Sequence, residues 1–290
     1  MKNYIAGKNR GIDYTVVPEI AKQGDFLPLK EPGTYYWWPS DTEERFNTHK
    51  GGGVSSTGRG SLAWKNMWKD AQPGGSNPIT YTVNSHAFRT QELDDLFDFT
   101  ESIMVLGCSM TFGIGVHNET TWAYKVGQEL NLPVINLGIP GGSLDAMYRV
   151  YSYWQPRIKS KYTIALIPPG RRMEIQRNRH HNTFRDGHWE KVGAHRMGDY
   201  MTINRPVGEL FAHQLFEDEI YTIQTQKNIN AIKHIAHETN SRFHLFDTEG
   251  NLTRDHIKAR DSIHPGPVWH DEIKEMVINE ISRDDQTRNS

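Results

Sequence analysis

From residue 101 onward, four short apolar runs alternate with stretches that repeat at helical spacing. That alternation restricts the fold more than any other feature of the chain. Residues 103–106, 133–137, 162–167 and 242–246 read as strands. Between the first two, residues 119–130 carry Trp122, Val126 and Leu130 four apart, which is one apolar face of a helix. Leu144, Met147, Tyr148, Tyr151 and Trp154 recur at the same spacing behind Ser143, whose hydroxyl suits an N-cap. A long helical stretch over about residues 209–237 holds Phe216, Ile220, Ile223, Ile232 and Ile235, and residues 268–281 end the pattern with Ile273, Val277 and Ile281 on one face. Strand–helix repeats of this kind predict an α/β fold, with a parallel sheet covered by helices on both sides.

Such sheets bind ligands outside the carboxyl ends of their strands. Ser109, the loop 138–143, the segment 168–172 and the chain from Asp247 onward all follow predicted strands, so they converge on one rim. Gly107 breaks the first strand, and Ser109 stands two residues later on a sharp turn, a good station for a nucleophile. Asp261 and His264, three residues apart in a late loop, offer a base and a group to orient it.

Residues 1–100 are less regular and predict an irregular N-terminal layer with short strands, packed on the main unit at 101–285. Residues 79–83 alternate β-formers and predict a strand, followed by a turn at 84–89. Residues 53–60 have the glycines of a phosphate loop, but Arg59 and Gly60 occupy the Lys and Ser/Thr positions, and no strand precedes them. Trp37, Trp38, Trp64 and Trp68 either anchor core and loops or stack on sugars. Residues 171–207 interrupt the repeat with eight Lys or Arg against four Asp or Glu, and read as a basic insert that is either a lid or a solvated loop. Their four histidines lack metal-ligand spacing, as do His234 and His237 on the long helix, so no metal or other cofactor is expected.

A net charge of −2 gives no nucleic-acid footprint. No stretch approaches ~18 consecutive apolar residues, so no membrane span is expected. The first residues lack the apolar run of a signal peptide. The single cysteine, Cys108, excludes an internal disulfide, and together these features predict a cytoplasmic protein. The sequence is silent on oligomeric state.

The blocks around these residues resemble the SGNH or GDSL hydrolases, a family of esterases, lipases and acetylesterases. Gly107-Cys108-Ser109-Met110-Thr111-Phe112-Gly113 matches the family's Gly-Asp-Ser-x-Thr-x-Gly except at Cys108, and Asp261-Ser262-Ile263-His264 matches its Asp-x-x-His in full. Residues 136–142 look like its second block, and the order of blocks is right. Asn84-Ser85-x-x-Phe88-Arg89 is similar to a segment that precedes the first block in some members.

The resemblance implies a flavodoxin-like three-layer sandwich and a serine esterase acting on a small acyl ester, with an O-acetyl carbohydrate as one candidate. Ser109 would attack, His264 would move the proton, and Asp261 would orient the imidazole. Backbone N–H groups of Ser109 and Gly141 would hold the oxyanion. The family's third block, Gly-x-Asn-Asp, is replaced by Pro168-Pro169-Gly170-Arg171-Arg172. Its oxyanion Asn would then be replaced by Arg171 or Arg172, by Asn84, or by nothing. Arg172 and Asn84 also stand as candidate substrate-binding residues. Cys108 is expected to be a buried structural residue pointing away from Ser109. The lost Asp and Asn leave one alternative, a non-catalytic binding or structural protein that keeps the hydrolase fold.

Overall fold

A computed structural model of the protein describes residues 32–48, 62–168, 171–176, 189–194, 218–247 and 257–289. The leading elements are short: β1 (Gly33–Tyr35), α1 (Glu43–Thr48), α2 (Leu62–Trp68) and β2 (Tyr81–Val83). β1 and β2 pair antiparallel, with Thr34 opposite Thr82. The regular region then runs β3 (Ile103–Gly107), α3 (Ser109–Phe112), α4 (Trp122–Leu130), β4 (Val134–Gly138), α5 (Leu144–Ile158) and β5 (Tyr162–Ile167). It continues with β6 (Arg171–Gln176), β7 (Trp189–Ala194), α6 (Asp218–Glu238), β8 (Arg242–Asp247) and α7 (Pro267–Asn289).

The four strands expected from the apolar runs form one parallel sheet in the order β4-β3-β5-β8. β3 lies inside it and is buried along its whole length. Alternation along the strands assigns each helix to a face. Ile103 and Val105 of β3, with Tyr162, Ile164 and Leu166 of β5, pack against Trp122 and Val126 of α4 and Trp269, Ile273, Val277 and Ile281 of α7. Met104 and Leu106, with Ala165, face Met147, Val150, Tyr151 and Trp154 of α5 and Ile232 and Ala236 of α6. The expected α/β architecture, a helix–sheet–helix sandwich, is therefore what the strands build. β3, buried on both faces, is apolar throughout, which is why it reads as a run rather than as alternation.

Several boundaries differ from the sequence reading. A 3-10 turn at Asn118–Thr120 precedes α4, and the helix starts after Thr121, whose hydroxyl accepts the Tyr124 N–H. Ser143 caps α5 as expected, accepting from Ala146 N–H at 3.3 Å, but Tyr148 turns outward. On α6 the buried face is Asn228, Ile232 and Ala236, leaving Ile220 and Ile223 exposed. α7 runs eight residues past Ile281, since nothing in its polar tail breaks a helix.

The insert is not wholly loop. β6 and β7 form an antiparallel hairpin, and Glu174 on β6 makes a two-armed ion pair with Arg149 on α5, at 2.6 and 2.9 Å. Residues 53–60, His180, His181, His188 and His195 lie outside the described residues. Among the described residues no helix is long and apolar enough to cross a membrane, and no cluster of His, Cys, Asp and Glu could hold a metal ion.

α7 also closes the start of α4. The Trp122 N–H, one of the first-turn donors without a helical acceptor, donates to Nδ1 of buried His270 at 3.2 Å. Burial, assisted by the charges of Lys125, Arg89 and His264, pushes His270 down to about 3. The unfolded chain binds this proton near the ordinary value of 6.5. The stability that neutral His270 supplies is therefore complete above that pH and is lost as pH falls from there toward about 3, at up to about 1.4 kcal/mol per pH unit. Urea unfolding at pH 7 and pH 5 should show His270→Gln losing about 1–2 kcal/mol less on acidification than the parent. Equal acid losses would contradict the buried neutral imidazole.

Candidate active site

β3 ends at Gly107, and the chain turns through extended Cys108 into the single helical turn α3, so Ser109 stands at the carboxyl rim of the sheet. Its own backbone bonds and two flanking side chains hold this turn. Thr111 and Phe112 N–H both donate to Cys108 O. Asn136, in the middle of β4, donates from Nδ2 to Thr111 O at 2.8 Å while its Oδ1 accepts from Gly138 N–H at 2.9 Å. Buried Arg89 donates from Nη1 to Gly113 O at 2.6 Å and from Nη2 to Thr80 O at 2.6 Å and Val116 O at 3.2 Å. Burial lowers Arg89 to about 10.

The second half of the site comes from the loop 257–266. Ala259 N–H donates to His264 O at 3.0 Å, which closes the loop, and Ser262 adopts a left-handed φ of 61° at its tip. Asp261 is 1% exposed. Its Oδ1 accepts the N–H groups of Ile263 and His264, each at 3.0 Å, and its Oδ2 accepts His264 Nδ1 at 2.5 Å. Burial raises the Asp261 carboxyl, but the charge of His264 and these hydrogen bonds outweigh it and hold it below the ordinary range. An ionised carboxylate only accepts, so it selects the tautomer with hydrogen on Nδ1. Nε2 is then an acceptor, and it lies 2.8 Å from Ser109 Oγ.

The structure thus brings Ser109, His264 and Asp261 into one hydrogen-bonded chain, within the reach that general-base chemistry requires. Ser109 is 7% exposed, and the His264 side chain 15%. The N–H groups of Ser109 and Gly141 have no acceptor among the described residues, and Gly141 takes a φ of 70° in the loop after β4. Arg172 reaches that same loop, with Nη1 3.5 Å from Gly142 O. The Arg171 side chain lies outside the described residues.

Two expectations need correction. Asn84 is not available to substrate. It is buried, its Oδ1 accepts from His86 and Phe88 N–H, and its Nδ2 donates to Gln91 O, so it braces the turn before Arg89. Cys108 is buried, but it does not point away from the serine: Sγ lies 3.9 Å from Ser109 Oγ.

Sequence reasoning also missed what supports the Asp261–His264 loop. The indoles of Trp64 and Trp68 donate to Ala259 O and Lys258 O, each at 2.9 Å. Trp38, Trp64 and Trp68 are buried with Tyr81, Phe112, Ile114, Val116 and Ala259 in one cluster, so they anchor loops and give no exposed platform for a sugar. No local pattern announces such long-range donors.

No family model matches the sequence, and no curated relative matches it. Among solved structures, the chain is similar to the psychrotrophic esterase EstA from a Pseudoalteromonas species, with 12% identity and a TM-score of 0.38 over 63% of this chain and 97% of that one. It is similar to the acetyl xylan esterase Est2A from Butyrivibrio proteoclasticus, with 14% identity and a TM-score of 0.35 over 64% of each chain. It is also similar to AlinE4, an SGNH-hydrolase family esterase, with 14% identity and a TM-score of 0.25 over 63% of this chain and 96% of that one. Other similar solved structures are described as a putative lipolytic protein of the G-D-S-L family from Desulfitobacterium hafniense and a putative GDSL-like lipase from Bacteroides ovatus. The likenesses are loose.

The two loops meet at Gly115. Its φ is 75°, and a Cβ there would stand 2.8 Å from Ala259 Cβ and 3.1 Å from the backbone nitrogens of Arg260 and Asp261. Gly115→Ala should therefore cost more than Gly74→Ala, where φ is 84° but nothing lies within 4 Å. Backbone strain accounts for about 1 kcal/mol in each, and crowding against backbone adds about 1–3 kcal/mol at position 115 alone. Thermal or urea unfolding of both variants checks the difference, and equal losses would contradict the close approach.

Proposed function

We propose that the protein is an ester hydrolase of the serine type acting on a small acyl ester. The observation that carries this reading is the uninterrupted chain from Ser109 Oγ to His264 Nε2 at 2.8 Å and from His264 Nδ1 to Asp261 Oδ2 at 2.5 Å. A serine hydroxyl is a weak nucleophile until a positioned base takes its proton. In the proposed reaction Ser109 Oγ attacks the ester carbonyl as His264 Nε2 takes its proton. Asp261 stabilises the resulting imidazolium. His264 then gives that proton to the leaving alcohol, which leaves an acyl group on Ser109. Water, deprotonated in turn by His264, releases the carboxylic acid and restores the serine.

We assign the backbone N–H groups of Ser109 and Gly141 to the oxyanion, each worth about 3 kcal/mol of barrier. Arg171 or Arg172 is the proposed third donor in place of the family's Asn, and Arg172 also suits an anionic part of the substrate. A carbohydrate alcohol loses support, because Trp38, Trp64 and Trp68 are buried and unavailable for stacking. The reading needs no metal or cofactor. A non-catalytic binding protein of the same fold is favoured only by Cys108 and by the absence of an Asn after β5.

Hydrolysis of a p-nitrophenyl acetate-type ester separates the two. The parent should turn over, and Ser109→Ala should lower kcat by about 10³-fold or more. Asp261→Asn should lower kcat by up to about 10⁴-fold, because an amide selects the wrong imidazole tautomer. A parent no faster than Ser109→Ala would leave the binding protein as the better reading.

A further inference from the structure

The loop bearing Asp261 and His264 is not held by the sheet alone. The residue before Asp261 is Arg260, which is fully buried, and so is its partner Asp41, 219 residues earlier. Arg260 Nη2 donates to Asp41 Oδ2 at 2.6 Å, and its Nε lies 3.2 and 3.1 Å from the two carboxylate oxygens. Nη1 donates to Ala71 O at 2.5 Å and Nη2 also to Tyr36 O at 2.6 Å, and the guanidinium lies over the Trp37 ring, 4.2 Å from its centre. Asp41 Oδ2 also accepts the Tyr81 hydroxyl at 2.5 Å.

From Tyr81 the network returns to its start. Gly115 N–H donates to Tyr81 Oη at 2.8 Å, and Arg260 N–H donates to Gly115 O at 2.9 Å. The hydrogen bonds therefore close a ring from the Asp41 carboxylate to the Arg260 side chain, through the Arg260 backbone to Gly115, and through Tyr81 back to Asp41. One side of the ring carries the loop of Asp261 and His264. The other carries Gly115, which follows the turn of Ser109, with Gly113 and Ile114 N–H both donating to Ser109 O.

We infer that Asp41 is a positioning residue that fixes the distance between Ser109 and His264 by holding Arg260 and Tyr81 in this ring. The inference rests on the proposed hydrolase reading for its catalytic consequence, though not for its geometry. It explains a fully buried ion pair that the mechanism does not touch. A buried pair is an uncertain source of net stability, because desolvating two charges costs about as much as their attraction returns, and fixing one arrangement among several is a better-attested use. Burial raises the Asp41 carboxyl, and Arg260 and Tyr81 oppose that shift. Burial and the charge on Asp41 push the Tyr81 hydroxyl well up, so it remains a donor. Misplacing a reacting group by about 1 Å costs on the order of 100-fold in rate, which sets the scale of the effect.

The test uses the full chain and two variants. Asp41→Asn keeps the shape and removes the charge. Tyr81→Phe removes the hydroxyl that links Asp41 to Gly115, leaves the Asp41–Arg260 pair, and keeps the ring packed against Trp38 and Phe112; it carries the test if Asp41→Asn fails to fold. Folding is checked by circular dichroism and melting, and competent serines are counted by titration with a fluorophosphonate. The expected result is full titration of folded protein, KM within about twofold of the parent, and kcat lower by about 10- to 100-fold in Asp41→Asn and by a smaller factor in Tyr81→Phe. A parent-like kcat in folded variants, or a loss matched by the loss of titratable serines, would make the ring merely structural and overturn the inference.

If the parent itself neither turns over nor labels, the hydrolase reading fails and the positioning claim is still read by proton NMR. The His264 Nδ1–H should give a downfield resonance in the parent that broadens or disappears in both variants. An unchanged resonance in the folded variants would overturn the inference.

Discussion

A single hydrogen bond between residues 155 apart in sequence, Ser109 Oγ to His264 Nε2 at 2.8 Å, is what the site depends on. Neither partner can reach the other by local structure. The serine sits where a strand ends, and the histidine sits in a loop with no regular element of its own. Two loops from distant parts of the chain must each be fixed to within a few tenths of an ångström for the bond to survive. Much of the polar hydrogen bonding around the rim serves that end.

The serine half is fixed by the sheet. β3 is flanked on both sides by parallel partners in register, and Gly107 stands opposite Gly138 of β4. Asn136 and Arg89 then bind the carbonyls of the turn that follows, so the helical turn of Ser109 cannot swing. The histidine half is fixed by the leading part of the chain. Trp64 and Trp68 take two loop carbonyls, Arg260 is enclosed by Asp41, Tyr36 and Ala71, and Gly115 allows the two halves to touch. The buried cluster of Trp38, Trp64, Trp68, Tyr81, Phe112 and Ala259 contains residues from both halves, which makes the N-terminal layer a part of the site's scaffold.

The sequence disclosed the sheet well because its strands are rich in apolar residues, β3 without interruption, and β3, β4, β5 and β8 all lie within a residue or two of the expected ranges. It also singled out Ser109, Asp261 and His264, which the fold brings together, because their spacing is local to two short blocks. It did not disclose Asp41, Arg260 or the indole donors, since a buried ion pair 219 residues apart leaves no periodic trace. Asn84 misled because an Asn near a turn serves the turn first: its amide satisfied backbone groups at 86, 88 and 91. Cys108 misled because side-chain direction at an irregular turn does not follow from strand alternation.

The central claim is that Ser109 is a nucleophile activated by His264. Peptide mapping by mass spectrometry after treatment with a fluorophosphonate tests it most directly. The account predicts one adduct, on the peptide bearing Ser109, formed fast in the parent and lost in His264→Ala. An unlabelled parent, or an adduct on any other residue, would contradict it.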